Sequence, residues 1–182
     1  LVAKRLHVYC LAKREEGEKC LEAIKYFIES TPEECQICQD YLCYAEQLTL
    51  KKEYNEAITY YKKALCADCK RQELLKDIAD LFVKNRDLDS AVVYYQQYFD
   101  KEPAAEDLLK LGKCYYNLAC QDSVPELQKE ELIKADSLFK ELSVRVPNSY
   151  GSYFWRARVN SMFDPETTKG LAKPYYEKVI EI

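Results

Sequence analysis

Glycine, histidine and long apolar runs are all scarce in this chain, and each scarcity removes a class of function. The four glycines, Gly17, Gly112, Gly151 and Gly170, lie too far apart to form a loop that cradles phosphates. His7 is the one histidine, so any Cys–His nucleophile pair would have to use it, and nothing places a third orienting group nearby. No apolar run reaches the roughly 18 residues of a membrane span, and the start of the chain has no signal-peptide pattern. Apolar–polar alternation is missing as well, which leaves no strand signal. Basic residues are not in excess: the net charge is −4. The small clusters Lys51-Lys52, Lys62-Lys63 and Lys70-Arg71 fall at expected turns or helix ends, so nucleic acid is not an expected partner.

What remains is helical. Of 182 residues, 48% are hydrophobic and 32% charged, enough for a core in a soluble, helix-rich array. Ile58, Tyr61, Ala64 and Leu65 show the typical helical spacing. Carboxylates come as adjacent pairs (Glu15-Glu16, Glu33-Glu34, Glu130-Glu131), and neighbours in sequence do not share a helix face. Solvation and the helix dipole account for them, so no catalytic residue and no cofactor is expected.

A period organises the chain. Ala23, Ala57 and Ala91 stand 34 residues apart, each followed four residues later by an aromatic: Phe27, Tyr61, Tyr95. Tyr41, Tyr44, Ala45 and Leu48 precede Ala57 in the same register as Leu75, Ile78, Ala79 and Phe82 precede Ala91. Leu108, Leu111, Gly112 and Tyr115 repeat that spacing, Ala135 and Phe139 supply its second half, and Pro103 and Pro147 each close a unit. The pattern resembles the tetratricopeptide repeat, W-x2-L-G-x2-Y, then A-x3-F, then P. In physical terms, the small residues let two helices of a pair touch, the aromatic fills the space between pairs, and proline ends the unit.

The resemblance implies an all-α, right-handed α-solenoid of about five stacked antiparallel helix pairs, a single array over 1–182. The expected units are 4–37, 38–71, 72–105, 105–149 with an insertion, and 150–182, incomplete. The first helix, Lys4 to Arg14, carries the pattern poorly. In the fourth unit the extra residues before Ala135 read as a loop over 121–129 opening an extended helix, with Ser123 and Glu126 at capping-box spacing. In the fifth, Tyr153, Ala157, Ala172 and Tyr176 keep the register, Arg156 and Asn160 replace apolar residues, and Asp164-Pro165 makes the turn. A start at Leu1 and an apolar last helix suggest a fragment of a longer protein.

Nine cysteines include two pairs with metal-ligand spacing, Cys35/Cys38 and Cys66/Cys69. Cys35 and Cys69 sit at equivalent corners of adjacent repeats, which separates the pairs and argues against a shared zinc; no metal is expected. Cys10, Cys20, Cys43, Cys66, Cys114 and Cys120 read as small packing residues. An odd count argues against a full disulfide framework and leans toward a reducing, cytoplasmic setting, with export after signal-peptide removal the alternative. The doublets Tyr60-Tyr61, Tyr94-Tyr95 and Tyr175-Tyr176 each read as one packing and one edge residue, whereas Tyr116 reads as a groove residue.

The resemblance further implies a concave groove lined by the first helix of each pair, holding a peptide or protein segment. The register places Gln39, Leu42, Glu46, Lys76, Asp80, Leu109, Lys113, Tyr116, Phe154 and Arg158 there, with Leu42, Leu109, Tyr116 and Phe154 as exposed anchors. The specialised chaperone-tail clamp is not expected, because Asp80 follows Lys76 one turn on and Glu46 stands where that clamp has Asn. The expected function is a noncatalytic protein-interaction scaffold. Its rival is an assembly element that self-associates, or stacks on further repeats, through Val179, Ile180 and Ile182.

Overall fold

A computed structural model of the chain describes residues 1–14, 16–67, 72–99 and 103–182. Glu15, Cys69, Lys70 and Arg71, used in the sequence reading, lie outside them. The described residues form ten α-helices and no strand: α1 (Val2–Lys13), α2 (Gly17–Ser30), α3 (Cys38–Leu50), α4 (Tyr54–Cys66), α5 (Glu73–Lys84), α6 (Leu88–Phe99), α7 (Ala105–Gln121), α8 (Pro125–Arg145), α9 (Tyr150–Phe163) and α10 (Lys173–Glu181). A 3-10 turn, Glu33–Cys35, precedes α3. The chain divides into two compact units, 1–87 and 88–182.

In the first unit α3 is the central element, packed against α1, α2 and α4. Most of its residues are therefore buried, including Tyr41, Leu42, Tyr44, Ala45 and Leu48. The small residues Ala45, Ala57, Ala64 and Ala79 are all fully buried, as expected where helices cross closely. A polar anchor fixes α1: Arg5 donates from Nε (2.8 Å) and Nη2 (2.9 Å) to the fully buried Asp40 carboxylate, and Tyr9 Oη donates to it too. Asp40 also accepts from the N–H of Ile37 (3.0 Å), closing the N-terminus of α3. Burial, then the bond to Asp40, pushes the Tyr9 phenol well above its ordinary range.

The turns from α3 to α4 and from α5 to α6 have the same backbone form. Lys52 and Arg86, 34 residues apart, take left-handed φ values of 64° and 63°. Lys52 N–H donates to Thr49 O and Glu53 N–H to Leu48 O, while Arg86 N–H donates to Val83 O and Asp87 N–H to Phe82 O. This pairing of the last carbonyls is the Schellman closure, in which the left-handed residue reverses the chain within one turn. The 34-residue period is thus present in dihedral angles as well as in side chains.

In the second unit α7 packs against α6, α8 and α9, and α10 against α9. Gly112 permits the closest approach: a Cβ there would stand 2.5 Å from Cε1 of Phe139, which is fully buried. The residues inserted before Ala135 lengthen helices and do not form the expected loop. Gln121 ends α7, only 122–124 connect, and α8 runs for 21 residues. Proline at the first helical position starts α8, since its missing N–H and fixed φ suit that place. Ser123 does not cap it; the N-cap is Val124, whose N–H donates to Asp122 Oδ1 (2.9 Å). Only Leu132, Ala135, Phe139 and Leu142 of α8 are buried, which leaves its first two turns outside the core.

The polar departures in the last expected unit also find partners. Arg156 donates to Asp136 of α8 (3.0 and 3.2 Å) and to Tyr175 Oη (3.0 Å), with its guanidinium carbon 4.4 Å from the Tyr175 ring centre. Asn160 donates to Asp136 as well (3.5 Å). Tyr61 and Tyr95 are buried as the doublet reading expects, but Tyr176 is exposed and Ala172 stands just before α10, because residues 164–172 form a loop. Asp164 ties that loop, accepting from the N–H groups of Lys169 (2.9 Å) and Leu171 (3.4 Å) and from Thr168 Oγ1 (3.2 Å). Burial raises its pKa, but these bonds outweigh burial and hold it below the ordinary 3.8. The ionised form is thus favoured by the ordered loop. Its contribution is complete above the ordinary value and lost as pH falls through the lower folded one. Amide protection at Lys169 and Leu171 is expected to survive titration to pH 3.8 and to vanish below it; loss near neutral pH would contradict this.

The cysteines do not all behave as packing residues. Cys20, Cys43 and Cys114 are buried, but Cys10, Cys35, Cys66 and Cys120 are exposed. The exposed thiols fall where little covers the helix: α1 buries only Val8 and Leu11, and Cys66 is the last residue of α4. Cys38, at the first residue of α3, is disulfide-bonded. Burial, then the neighbouring Cys20 thiol, pushes Cys43 up to about 12. Alkylation at pH 8 followed by peptide mapping is expected to modify Cys10, Cys35, Cys66 and Cys120 within minutes and to spare Cys20, Cys43 and Cys114 until denaturant is added.

Candidate protein-binding surface

The ten residues placed in a groove by the register fall on four helices. Gln39, Leu42 and Glu46 lie on α3 and Lys76 and Asp80 on α5, all in the first unit. Leu109, Lys113 and Tyr116 lie on α7, and Phe154 and Arg158 on α9, in the second. Gln39 and Glu46 line a cleft of about 400 Å³ together with Cys43 and with Tyr9, Ala12 and Lys13 of α1. Lys76 and Asp80 are half-buried.

Two of the expected exposed anchors are core residues. Leu42 is 3% exposed because α1, α2 and α4 surround its helix, and Tyr116 is 6% exposed. Tyr116 is covered from α9: its ring meets Trp155 edge-on with centres 5.3 Å apart, and Arg158 donates to its Oη from Nε (3.3 Å) and Nη2 (3.2 Å). Burial raises the Tyr116 pKa, and the Arg158 hydrogen bond opposes that rise. Leu109 and Phe154 are half-buried. A Cβ on Gly151 would stand 3.7 Å from Leu109 Cδ1, so α7 and α9 approach closely at this level.

Four of the ten residues converge on one side chain that the sequence reading did not select. Trp155 is the single tryptophan of the chain. Lys113 Nζ and the Arg158 guanidinium carbon each stand 5.3 Å from its ring centre, within cation–π range. Phe154 packs edge-on against it at 5.7 Å, and Phe139 stacks on it at 6.0 Å from the core side. Arg158 also lies over Tyr116 (5.2 Å) and Phe154 (6.0 Å). Tyr150, 54% exposed, stacks on Phe154 at 5.6 Å and extends the aromatic surface outward. The signal available in the sequence was the uniqueness of Trp155 and its place between Phe154 and Arg156.

Chemically, flat apolar rings hold two cations at fixed positions. Among the described residues no group of three His, Cys, Asp or Glu side chains could hold a metal ion, and no described helix is long and apolar enough to cross a membrane.

Within each unit, helix pairs cross at small residues and pack against the next helices in the chain, as in an all-α repeat solenoid. The fold is that of solved tetratricopeptide repeat structures. The C-terminal part of a tetratricopeptide repeat-containing protein from Cytophaga hutchinsonii is similar over 96% of this chain, with 28% identity and a TM-score of 0.75. The match spans 64% of that chain, just under two thirds of its length. MamA from Desulfovibrio magneticus RS-1 (17% identity, TM-score 0.71) is similar over 98% of this chain and 92% of its own. YrrB, a tetratricopeptide repeat protein described as having an unusual peptide-binding site, is similar over 96% and 81%, with 19% identity and a TM-score of 0.70. No protein-family model matches the sequence, and no curated protein does.

Proposed function

We propose that the protein is a noncatalytic scaffold that binds a peptide or protein segment on the face of α7 and α9, using Leu109, Lys113, Phe154 and Arg158, with Gln39, Glu46, Lys76 and Asp80 as candidate contacts on the first unit by itself and with Leu42 and Tyr116 supporting their faces from the core. The observation that carries the reading is the aromatic surface of α7 and α9, where Tyr150, Phe154 and Trp155 stand beside Lys113 and Arg158. Rigid aromatic anchors flanked by cations are the composition of protein interfaces rather than of small-metabolite pockets. The peptide-binding description of YrrB, a protein with the same fold, supports the same class of role. We also propose the unit boundaries 4–37, 38–71, 72–105, 105–149 and 150–182 within one array. The test is binding of a decapeptide library to the whole chain and to Leu109→Ala and Phe154→Ala variants. Retained folding with at least tenfold weaker binding supports the surface; unchanged binding by both variants defeats it.

A second reading rests on a different feature. Leu171, Tyr176 and Ile180 line a cleft of about 430 Å³ at the end of the second unit, and Ile180 is 84% exposed. Such a face suits self-association. Light scattering across a concentration series separates the readings, because an assembling chain shifts to dimers that Ile180→Glu abolishes, and a monomeric chain at all concentrations rejects assembly.

A further inference from the structure

The face formed by α7 and α9 carries two cations for which the described residues supply no counter-charge. Lys113 and Arg158 make no ion pair among the described residues, whereas Arg156, two residues from Arg158, is paired with Asp136, and Lys110, one turn before Lys113, with Glu106. Both charges are instead fixed on one indole, each 5.3 Å from the Trp155 ring centre. Arg158 is held further by Tyr116 Oη through Nε and Nη2, leaving its Nη1 edge available. A stacked, pre-oriented guanidinium loses little conformational freedom on meeting a carboxylate, and that saving favours binding.

We infer that this face selects acidic protein segments: an Asp or Glu side chain seats against Arg158 and Lys113, and a neighbouring apolar or aromatic residue lies on Tyr150 and Phe154. The inference rests on the scaffold reading above and names the chemistry of its partner. Charge complementarity fixes the sign of the occupant. Two cations on a chain of net charge −4 are too few for a nucleic-acid track, which neutralises a series of phosphates. The exposed Tyr150 ring beside them adds the apolar contact that a free carboxylate would leave unused.

The experiment selects binders of the whole chain from a random decapeptide library and reads their affinity through Trp155 fluorescence, which reports this face alone. The expected result is enrichment of Asp or Glu within a few positions of Leu, Phe or Tyr. Binding should weaken at least tenfold in Arg158→Gln and in Lys113→Gln, and again when NaCl rises from about 0.05 M to about 0.5 M. Lys113 makes no hydrogen bond or ion pair among the described residues and lies over the indole face, so its variant keeps the test valid should Arg158→Gln disturb Tyr116. Enriched peptides that are neutral or basic, yet still lose binding in Phe154→Ala, would overturn the acidic preference and leave the scaffold reading standing. No enrichment from the library would overturn both. A short oligouridine that alters Trp155 fluorescence as strongly as the selected peptides would overturn the assignment to protein segments.

Discussion

Replacing Asp40 by alanine is expected to lower the unfolding free energy by about 3–5 kcal/mol, the usual cost of breaking a buried ion pair on one side. Asp40 has no exposed surface, and the Arg5 side chain is only 16% exposed. Removing the carboxylate leaves the guanidinium with the Cys35 carbonyl alone, and the Tyr9 hydroxyl and the Ile37 N–H without their acceptor, at a partly buried site. Asn at this position keeps the shape but points an NH2 group at donors, so it is expected to recover little. The double change Arg5→Met with Asp40→Leu removes both charges and is expected to regain most of the loss, because apolar packing of similar volume often replaces a buried pair without penalty. Urea unfolding followed by circular dichroism measures all three variants. A cost below about 1 kcal/mol for Asp40→Ala, the range of ordinary surface changes, would show that α1 is not held through this site.

The second large effect is expected at Phe139. Its ring is fully buried, stacks on Trp155 and faces Gly112 across the α7–α8 contact. Phe139→Ala should cost about 3–5 kcal/mol, since the glycine opposite offers no atoms to fill the void. The sign of a second substitution then depends on the first. In the native background Gly112→Ala drives a Cβ to 2.5 Å from the ring, and overpacking of about 1–3 kcal/mol outweighs the propensity gain of roughly 1 kcal/mol. In the Phe139→Ala background the same methyl enters empty space and is expected to stabilise. The double-mutant cycle measures this reversal, and additive effects within about 0.5 kcal/mol would refute the contact. Both Phe139 variants should also change Trp155 emission, since that ring supports the indole.

The repeat was legible because its signals are local. Ala57 and Tyr61, or Ala91 and Tyr95, need only helical spacing and a period to be assigned, and each of these side chains is buried. The anchor of α1 was not legible. Arg5, Tyr9 and Asp40 are separated by 31 and 35 residues and follow no period. The register placed Lys113, Tyr116, Phe154 and Arg158 on the first helices of two expected pairs, and these side chains meet around one indole. It could not give the burial of Tyr116, which depends on Trp155 and Arg158 reaching across from α9, nor that of Leu42, which depends on α3 having neighbours on three sides. The extra residues before Ala135 read as loop because Asp122, Ser123 and Pro125 are turn formers. Proline in fact opens a helix there, the one helical position its ring favours.

The matching backbone at Lys52 and Arg86 bears on how such a chain can be lengthened or shortened. Each residue closes one helix and launches the next from the same left-handed conformation, so the stretch from 53 to 86 begins and ends on interchangeable joints. Duplicating that stretch, or splicing in its counterpart from another solenoid at the same two joints, joins ends that already share backbone conformation and hydrogen bonding. Growth by whole units then requires no new turn chemistry, only faces that fit one another.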